Sequence, residues 1–270
     1  IAYWDLGPSD ATEVVLLCQG LGARIAGWTP LFNALWSSDG VGKVPWRERR
    51  LIIPEYRGQF ASIPLVGDSI SVEQSAADFA AVAAALKIKK AIVMCWSTGV
   101  QVALQLALDQ PDFATAMILI QGFDGKMCSC CMQPVCAIPG MPSLLKFGLQ
   151  QLPKYIRGNL RKSLYEFMLR NSNALERISS AALWVFGSDL MPAIGIRYGQ
   201  DMIQSDSHFA TYCKLAVALD QHDPSPRLGE IKVPVLVVTG TPDFITPARC
   251  SYSIAAKLGG IVQFVDDFSA

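Results

Sequence analysis

Short apolar runs recur along the chain, and segments with helical patterning separate them. The runs are rich in β-branched residues and lack the polar alternation of a half-exposed strand; they lie at 14–18, 51–53, 91–95, 117–120, 235–239 and 261–265. Continuous apolarity is typical of strands that are covered on both faces, as in a parallel sheet. The pattern therefore predicts an α/β fold, with a mostly parallel sheet and helices on both of its faces.

The segment 71–86 is predicted to be one of the connecting helices. Ser71 is a candidate N-cap, and Gln74 three residues later would complete a capping box. Alanine, which has the highest helix propensity, fills much of the interior. Together with the apolar runs before and after it, this helix forms a strand–helix–strand unit.

The pattern changes at 124–227, where helical periodicity continues without a convincing strand. We therefore expect a helical cap inserted at 124–227 into an α/β core formed by 1–123 and 228–270. The apolar side chains of this cap suit a pocket for an acyl chain, although they could also simply pack its helices on the core. The residues concerned are Met127, Met132, Met141, Leu144, Leu145, Phe147, Trp184, Phe186 and Met191.

Composition and charge exclude several kinds of protein for this chain. Of the 270 residues 51% are hydrophobic and 17% charged, and 23 basic and 23 acidic residues give a net charge of zero. This composition excludes a disordered chain, and the charge excludes simple electrostatic attraction to nucleic acid or an anionic membrane. The apolar runs fall short of the roughly 18 residues that cross a membrane, and no signal peptide is visible. We expect a cytoplasmic protein with a small-molecule substrate and no nucleic-acid partner.

Eight cysteines are present. Cys18 and Cys95 lie in apolar runs, where a thiol usually behaves as a small hydrophobe, and we expect reduced thiols rather than a disulfide framework. Four more form the cluster Cys128-Ser-Cys-Cys-Met-Gln-Pro-Val-Cys136, which has neither the spacing of structural zinc sites nor a nearby histidine. The sequence thus predicts no metal and no cofactor; zinc or cluster binding and redox sensitivity of these cysteines are the two minor alternatives.

The segment 91–104 carries the strongest catalytic signal. An apolar run leads into Cys95-Trp-Ser97-Thr-Gly99 and then directly into a helical pattern, which is the context of a G-x-S-x-G nucleophile elbow. The neighbours of the serine must be small in so tight a turn; Gly99 meets this need, and Cys95 replaces the first glycine. Ser97 is therefore the candidate nucleophile, and the Thr98 N–H is a candidate oxyanion donor. The alternative is an ordinary turn between a strand and a helix.

A glycine-rich turn, Gln19-Gly-Leu-Gly22, follows the first apolar run. Such a turn leaves backbone N–H groups free, and an oxyanion hole needs one donor besides the residue after the nucleophile. Leu21 is the candidate for this donor. The same glycines do not fit a phosphate loop, because the third glycine of G-x-G-x-x-G and a G-K-[ST] motif are both lacking.

A candidate acid, Asp243, follows the apolar run at 235–239. Carboxylates at the carboxyl ends of parallel strands lie where open α/β sheets build their sites, although an ordinary turn aspartate is the alternative. A serine nucleophile also needs a base, usually histidine. Only His208 and His222 are present, and for both we expect loop or capping roles. We expect the base after the run at 261–265, and hence beyond Ala270.

Together these motifs resemble the α/β-hydrolase superfamily over 1–123 and 228–270. The loops at 19–22, 54–58, 95–99 and 240–247 are similar to the family's oxyanion loop, its turn after the next strand, its elbow and its acid loop. The resemblance implies an α/β-hydrolase fold with a cap, Ser97 as nucleophile, Asp243 as acid, and Leu21 and Thr98 as oxyanion donors. The chain departs from the family's pattern at Gln19, at 59–62 and in the missing histidine.

The resemblance also implies a function: a serine hydrolase that cleaves a carboxylic ester or a similar small apolar acyl substrate through a Ser-His-Asp triad. Alternatives on the same fold are C–C bond hydrolysis, cofactor-free peroxidation, acyl transfer to an alcohol, and ligand binding without catalysis. Serine at position 97, rather than aspartate or cysteine, argues against dehalogenase and dienelactone hydrolase chemistry.

Overall fold

The computed structural model describes residues 1–37, 46–63, 67, 69–185, 192–240, 243 and 245–265, without the side chains of 35–37, 181–185 and 192–194. Strands in this part of the chain form one seven-stranded sheet. Their bounds are β1 Tyr3–Leu6, β2 Val14–Cys18, β3 Arg50–Pro54, β4 Ala91–Trp96, β5 Ala114–Ile120, β6 Val235–Val238 and β7 Val262–Val265.

The sheet has the order β1-β3-β2-β4-β5-β6-β7. All neighbouring strands are parallel except β1, which pairs antiparallel with β3 at the edge. The predicted mostly parallel sheet is confirmed, and each predicted apolar run overlaps one strand. β1 was not predicted, because its mostly exposed side chains give an edge strand no apolar run to recognise.

The continuous apolarity of the central strands follows from burial on both sides of the sheet. In β2, Leu16 and Cys18 belong to one buried cluster, whereas Val15 and Leu17 belong to another. Because successive side chains point to opposite faces of a strand, both faces of β2 are covered. Each face therefore requires apolar residues, which is why the strand shows no alternation.

Helices cover both faces. The described α-helices are α1 Thr29–Ser37, α2 Val72–Ala85, α3 Thr98–Asp109, α4 Met127–Cys130, α5 Met141–Tyr155, α6 Gly158–Arg170, α7 Ser172–Val185, α8 Pro192–Met202, α9 Asp206–Leu219 and α10 Ala248–Lys257. Short 3-10 helices lie at Ile25–Trp28, Trp46–Glu48, Val135–Ala137 and Ser225–Glu230. The core under α2, α3 and α10 lies on one face, and the core under α1 lies on the other. None of the described helices is both long and apolar enough to cross a membrane.

The predicted helix at 71–86 is confirmed as α2. The Ser71 hydroxyl accepts a hydrogen bond from the Gln74 N–H at 3.0 Å, as an N-cap should. The second bond of a capping box, in which the Gln74 side chain accepts from the Ser71 N–H, is not formed between these described residues. The Gln74 side chain donates to Asp78 at 3.1 Å instead. Asp78 in turn binds Arg57, so the start of α2 is tied to the loop after β3.

The segment between β5 and β6 contains α4 to α9 and, in its described part, no strand. Helix α9 packs on the main core through Leu215, Ala218 and Leu219, whereas α5 and α6 have no fully buried residue. Leu144 is 61% exposed and Phe147 60%, so these two side chains do not line an enclosed pocket. The side chain of Trp184 and all of Phe186 and Met191 lie outside the described residues.

Cys130 and Cys250 form a disulfide across a sequence separation of 120 residues, whereas reduced thiols were predicted throughout. The bond joins the end of α4 to the first turn of α10. Sequence spacing could not show that these helices meet, because their contact depends on the whole insertion between them. The other cysteines, all buried, are free.

Candidate active site

Ser97 occupies a strained turn between β4 and α3. Its backbone angles are φ 55° and ψ −120°. A residue other than glycine rarely adopts a positive φ, and such strain is concentrated at functional sites. Neighbouring bonds hold the turn, because the Ser97 N–H donates to Ile120 O at 3.0 Å and the Ser97 carbonyl accepts from Val100 N at 2.9 Å. The serine is thus presented at the carboxyl end of the sheet.

The residues on either side of Ser97 are limited by packing. A Cβ on Gly99 would clash with the carbonyl oxygen of Cys18, because the first turn of α3 lies directly against the end of β2. Cys95 is completely buried, and its Sγ lies 3.2 Å from the carbonyl oxygen of Ile118. Burial raises the pKa of the Cys95 thiol well above its usual value, so this sulfur is neutral and not a nucleophile.

Three hydrogen bonds connect the carboxyl ends of β4, β5, β6 and β7. They run from Ser97 N to Ile120 O, from Gln121 N to Val238 O at 2.8 Å, and from Thr239 N to Val265 O at 2.9 Å. Neighbouring strands are about 4.8 Å apart, so Ser97 and the end of β6 are separated by about 10 Å along this edge. The serine turn and the loop that carries Asp243 therefore lie on the same side of the sheet.

The glycine loop after β2 lies beside the serine turn. Ala23 N donates to Gly20 O at 3.1 Å, which closes a turn with Leu21 in its centre. Within the described part of the chain, neither the Leu21 N–H nor the Thr98 N–H has a hydrogen-bond acceptor. Both amides are therefore available to a negatively charged oxygen, and the N-terminal end of α3 adds its positive potential.

Gln19 and Tyr56 anchor this loop from below. Gln19 is completely buried, and its side-chain amide donates to Pro54 O at 3.1 Å. The Tyr56 hydroxyl donates to the backbone carbonyl of Gln19. Burial raises the pKa of Tyr56 well above its usual value, so the hydroxyl keeps its proton and remains a donor. Sequence reasoning missed Tyr56, although it lies inside the motif at 54–58.

Asp243 is half-buried in the loop after β6. Its Oδ1 accepts from the backbone N–H groups of Ile245 at 2.8 Å and Thr246 at 2.9 Å, and its Oδ2 accepts from the Thr246 hydroxyl at 3.1 Å. A carboxylate can accept about four hydrogen bonds, so Oδ2 retains capacity for one more donor. Burial raises the pKa of the Cys131 thiol to about 12, and the nearby charge of Asp243 adds to this shift.

Neither histidine contacts Ser97 in the described part of the chain. His208 lies in the first turn of α9, where its ring bonds to the Ser205 hydroxyl at 2.9 Å and to Phe60 O at 3.2 Å. His222 is buried against α3, with its ring nitrogens facing the side-chain oxygens of Gln101 and Gln105. The ring of His208 thus bonds at the start of α9, and that of His222 bonds to side chains of α3.

Two tyrosines of the insertion reach the loops around Ser97. Tyr198 of α8 lies against Trp96, with ring centroids 6.0 Å apart. Tyr212 of α9 packs on Gly22, where a Cβ would come within 3.0 Å of the ring. Helices α8 and α9 thus cover the glycine loop and the residue that precedes the serine. These tyrosines could not be identified from sequence, because they are distant from every motif along the chain.

A surface pocket of about 390 Å³ lies elsewhere. It is lined by Ala83, Lys90 and Phe113 among others, at the last turns of α2 and α3 and the amino ends of β4 and β5. This is the edge of the sheet opposite Ser97. A different group of side chains, Cys130, Cys131 and Cys250, offers metal-ligating atoms in the described residues.

Comparison with known proteins places these features in context. A family model described as the alpha/beta hydrolase fold matches residues 13–269. RutD of Serratia proteamaculans, named for an inferred carbamate hydrolase activity, is 22% identical over 261 residues, which cover 95% of this chain and 84% of that protein. RutD of Caulobacter vibrioides is 24% identical over 258 residues, which cover 93% and 81%.

Solved structures show the same architecture. A thermophilic esterase from Thermogutta terrifontis has a TM-score of 0.65 at 19% identity, covering 98% of this chain and 84% of that one. The enol-lactonase from Burkholderia xenovorans LB400 has a TM-score of 0.66 at 19% identity, covering 98% and 87%. At these identities the likeness concerns the fold.

Replacing Gly99 by alanine tests the close approach of α3 to β2. Because the new Cβ would meet a backbone carbonyl rather than a flexible side chain, we expect the free energy of unfolding to fall by about 3 kcal/mol. Gly148→Ala is the control, since no atom lies within 4 Å of its Cβ and alanine favours a helix. Urea denaturation of both variants measures the difference; equal stabilities would contradict the packing described.

Replacing Tyr56 by phenylalanine removes the donor to the Gln19 carbonyl. A buried acceptor that loses its partner costs about 1–3 kcal/mol, so the unfolding free energy should fall by that amount. Tyr155→Phe changes the same atoms on a side chain that is 72% exposed and should leave stability unchanged. The same denaturation experiment compares the two, and an unaffected Tyr56→Phe variant would show that the bond is unimportant.

Proposed function

This chain belongs to the α/β-hydrolase family, and from that premise we propose that it is a serine hydrolase acting on a carboxylic ester or a similar small acyl substrate. The observation that carries the proposal is the backbone of Ser97, held at φ 55° at the start of α3 beside two amides without acceptors in the described chain. We infer that this strained turn aims the hydroxyl of Ser97 and the N–H of Thr98 at one substrate carbonyl.

The proposed reaction is acyl transfer to water. The Ser97 Oγ attacks the carbonyl carbon while a base takes its proton, and the carbonyl oxygen becomes negative between the amides of Leu21 and Thr98. Collapse expels the alcohol, which receives the proton from the base, and water then releases the acid by the same route. Each amide donor contributes about 3 kcal/mol to lowering the barrier.

Asp243 is the proposed acid that orients the base. Its loop bonds fix Oδ1, while Oδ2 retains capacity to accept from an imidazole N–H. We place the base on the segment that follows β7, because Thr239 N bonds to Val265 O and brings the end of β7 beside the loop of Asp243. His208 and His222 are not proposed for this role, because the ring nitrogens of both already have other hydrogen-bond partners.

The substrate class is supported by chemistry that the relatives share. Carbamate, ester and enol-lactone, the substrates in their names, all present a carbonyl carbon to a nucleophile. We propose that the insertion at 124–227 acts as a cap and that Trp96 and Tyr198 adjoin the acyl group. Aromatic walls around a few polar groups suit a small apolar substrate.

A second candidate function is ligand binding without catalysis. One observation favours it: in the described residues both histidines hydrogen-bond to partners other than Ser97, so neither is in place to take the serine proton. In that case the serine turn would contribute only hydrogen bonds to a ligand. The two candidates differ in whether Ser97 is chemically reactive.

A fluorophosphonate probe distinguishes the two candidates. We expect covalent labelling of the native protein and of Ser163→Ala, which removes an exposed serine on α6, but none of Ser97→Ala. In-gel fluorescence and mass spectrometry of the labelled peptide give the result. A folded native protein that resists the probe would support ligand binding instead.

Replacing Asp243 by asparagine tests the role of the acid. With p-nitrophenyl esters as substrates, we expect kcat to fall by about a thousandfold or more with little change in KM, because the base loses its orientation. Asp223→Asn is the matched control, since Asp223 also accepts bonds within its own loop, from Ser225 N at 3.2 Å and Ser225 Oγ at 2.6 Å. If both variants are less stable but keep the native kcat, Asp243 serves only to stabilise its turn.

A further inference from the structure

Five of the eight cysteines gather where the insertion begins. Cys128, Cys130, Cys131 and Cys136 come from α4 and the loop after it, and Cys250 comes from α10. The sequence showed only the first four, whose spacing fits no zinc site. The structure adds Cys250 from 120 residues further along the chain. The set of neighbouring sulfur atoms therefore differs from the set that the sequence pattern suggested.

The sulfur atoms of Cys130, Cys131 and Cys250 all lie within 4.8 Å of one another, and the last two residues are buried. A tetrahedral zinc ion with bonds of about 2.3 Å places its sulfur ligands about 3.8 Å apart. Small side-chain adjustments would therefore bring all three sulfurs to one metal ion. Thiolates are soft ligands that select zinc, cadmium and copper(I) over magnesium and calcium.

We propose that Cys130, Cys131 and Cys250 form a thiolate site for a thiophilic metal ion, Zn²⁺ being the simplest case, once the disulfide between Cys130 and Cys250 is reduced. A thiol or phosphine reductant supplies two electrons, the S–S bond breaks, and each sulfur takes a proton from water. The metal ion then displaces three protons and binds three thiolates. The oxidised and the metal-bound states exclude each other.

The backbone around these sulfurs is held in place independently of the disulfide. Cys131 N donates to Met127 O at 2.8 Å, and the Gln133 side chain donates to Cys131 O at 3.4 Å. The Arg249 guanidinium donates to Cys130 O at 3.2 Å. Three thiolates and a divalent ion carry a net negative charge, so a neighbouring guanidinium stabilises the loaded site. Such outer contacts fix the ligands before the metal arrives.

The site adjoins the loop of Asp243 without depending on its role. Met132 N donates to Ile245 O at 2.9 Å, which joins the cysteine loop to the loop after β6. A metal ion bound by these cysteines would therefore affect the backbone at Ile245, two residues from Asp243. The inference itself rests on the sulfur geometry, and its test measures metal binding rather than catalysis.

The test uses the whole protein, reduced with a phosphine under argon and then desalted. We expect about one equivalent of Zn²⁺ by competition with a chromogenic chelator, and intense visible bands on substitution with Co²⁺, as tetrahedral thiolate coordination produces. Cys131→Ala should weaken binding by about a hundredfold or more. The matched control Cys213→Ala removes another buried cysteine, on α9, and should bind like the native protein.

Two outcomes would overturn the proposal: no stoichiometric binding by the reduced native protein, or equal loss of binding in both variants. Circular dichroism checks that each variant is folded. Should Cys131→Ala fail to fold, protection from alkylation replaces it. Bound metal should then protect Cys130, Cys131 and Cys250 of the native protein from iodoacetamide, while uniform alkylation of these three would refute the site.

Discussion

The reversal of the chain at Ser97 is the constraint on which the site depends. A strand enters and a helix leaves within one residue, and the helix starts so close to β2 that only glycine fits at position 99. The positive φ of Ser97 costs about 1–3 kcal/mol, which bonds on both sides of the turn offset. Because the sheet fixes β2, β4 and β5 around this point, the strained backbone of Ser97 is retained at the carboxyl end of the sheet.

Structural features that are formed by residues close together along the chain could be predicted from the sequence. The central strands appear as unbroken apolar runs because clusters on both faces bury them, and the Ser71 cap of α2 is encoded within four residues. The turn at Ser97 was recognisable for the same reason, since strand, serine and helix follow one another directly. β1 escaped prediction because an edge strand with exposed side chains needs no apolar run.

Features created by contacts between distant segments could not be predicted. Tyr56 holds the glycine loop from the segment that follows β3. Tyr212 packs on that loop and Tyr198 packs on Trp96, both from helices that carry no recognisable motif. The pairing of Cys130 with Cys250 depends on where α10 returns after the insertion. Leu144 and Phe147 were predicted to line a pocket because they are apolar, yet both are exposed. Hydrophobicity alone does not show which face of a helix packs against the rest of the protein.

The three hydrogen bonds along the carboxyl edge have a consequence for how this fold diversifies. They set the spacing between the serine turn and the loops after β6 and β7 through backbone atoms alone, independently of any side chain in the insertion. Helices between β5 and β6 can therefore be exchanged, lengthened or shortened while the spacing between the serine turn and the loops after β6 and β7 stays the same. New specificities can arise by remodelling one segment, provided that aromatic contacts such as Tyr212 on Gly22 are kept or replaced.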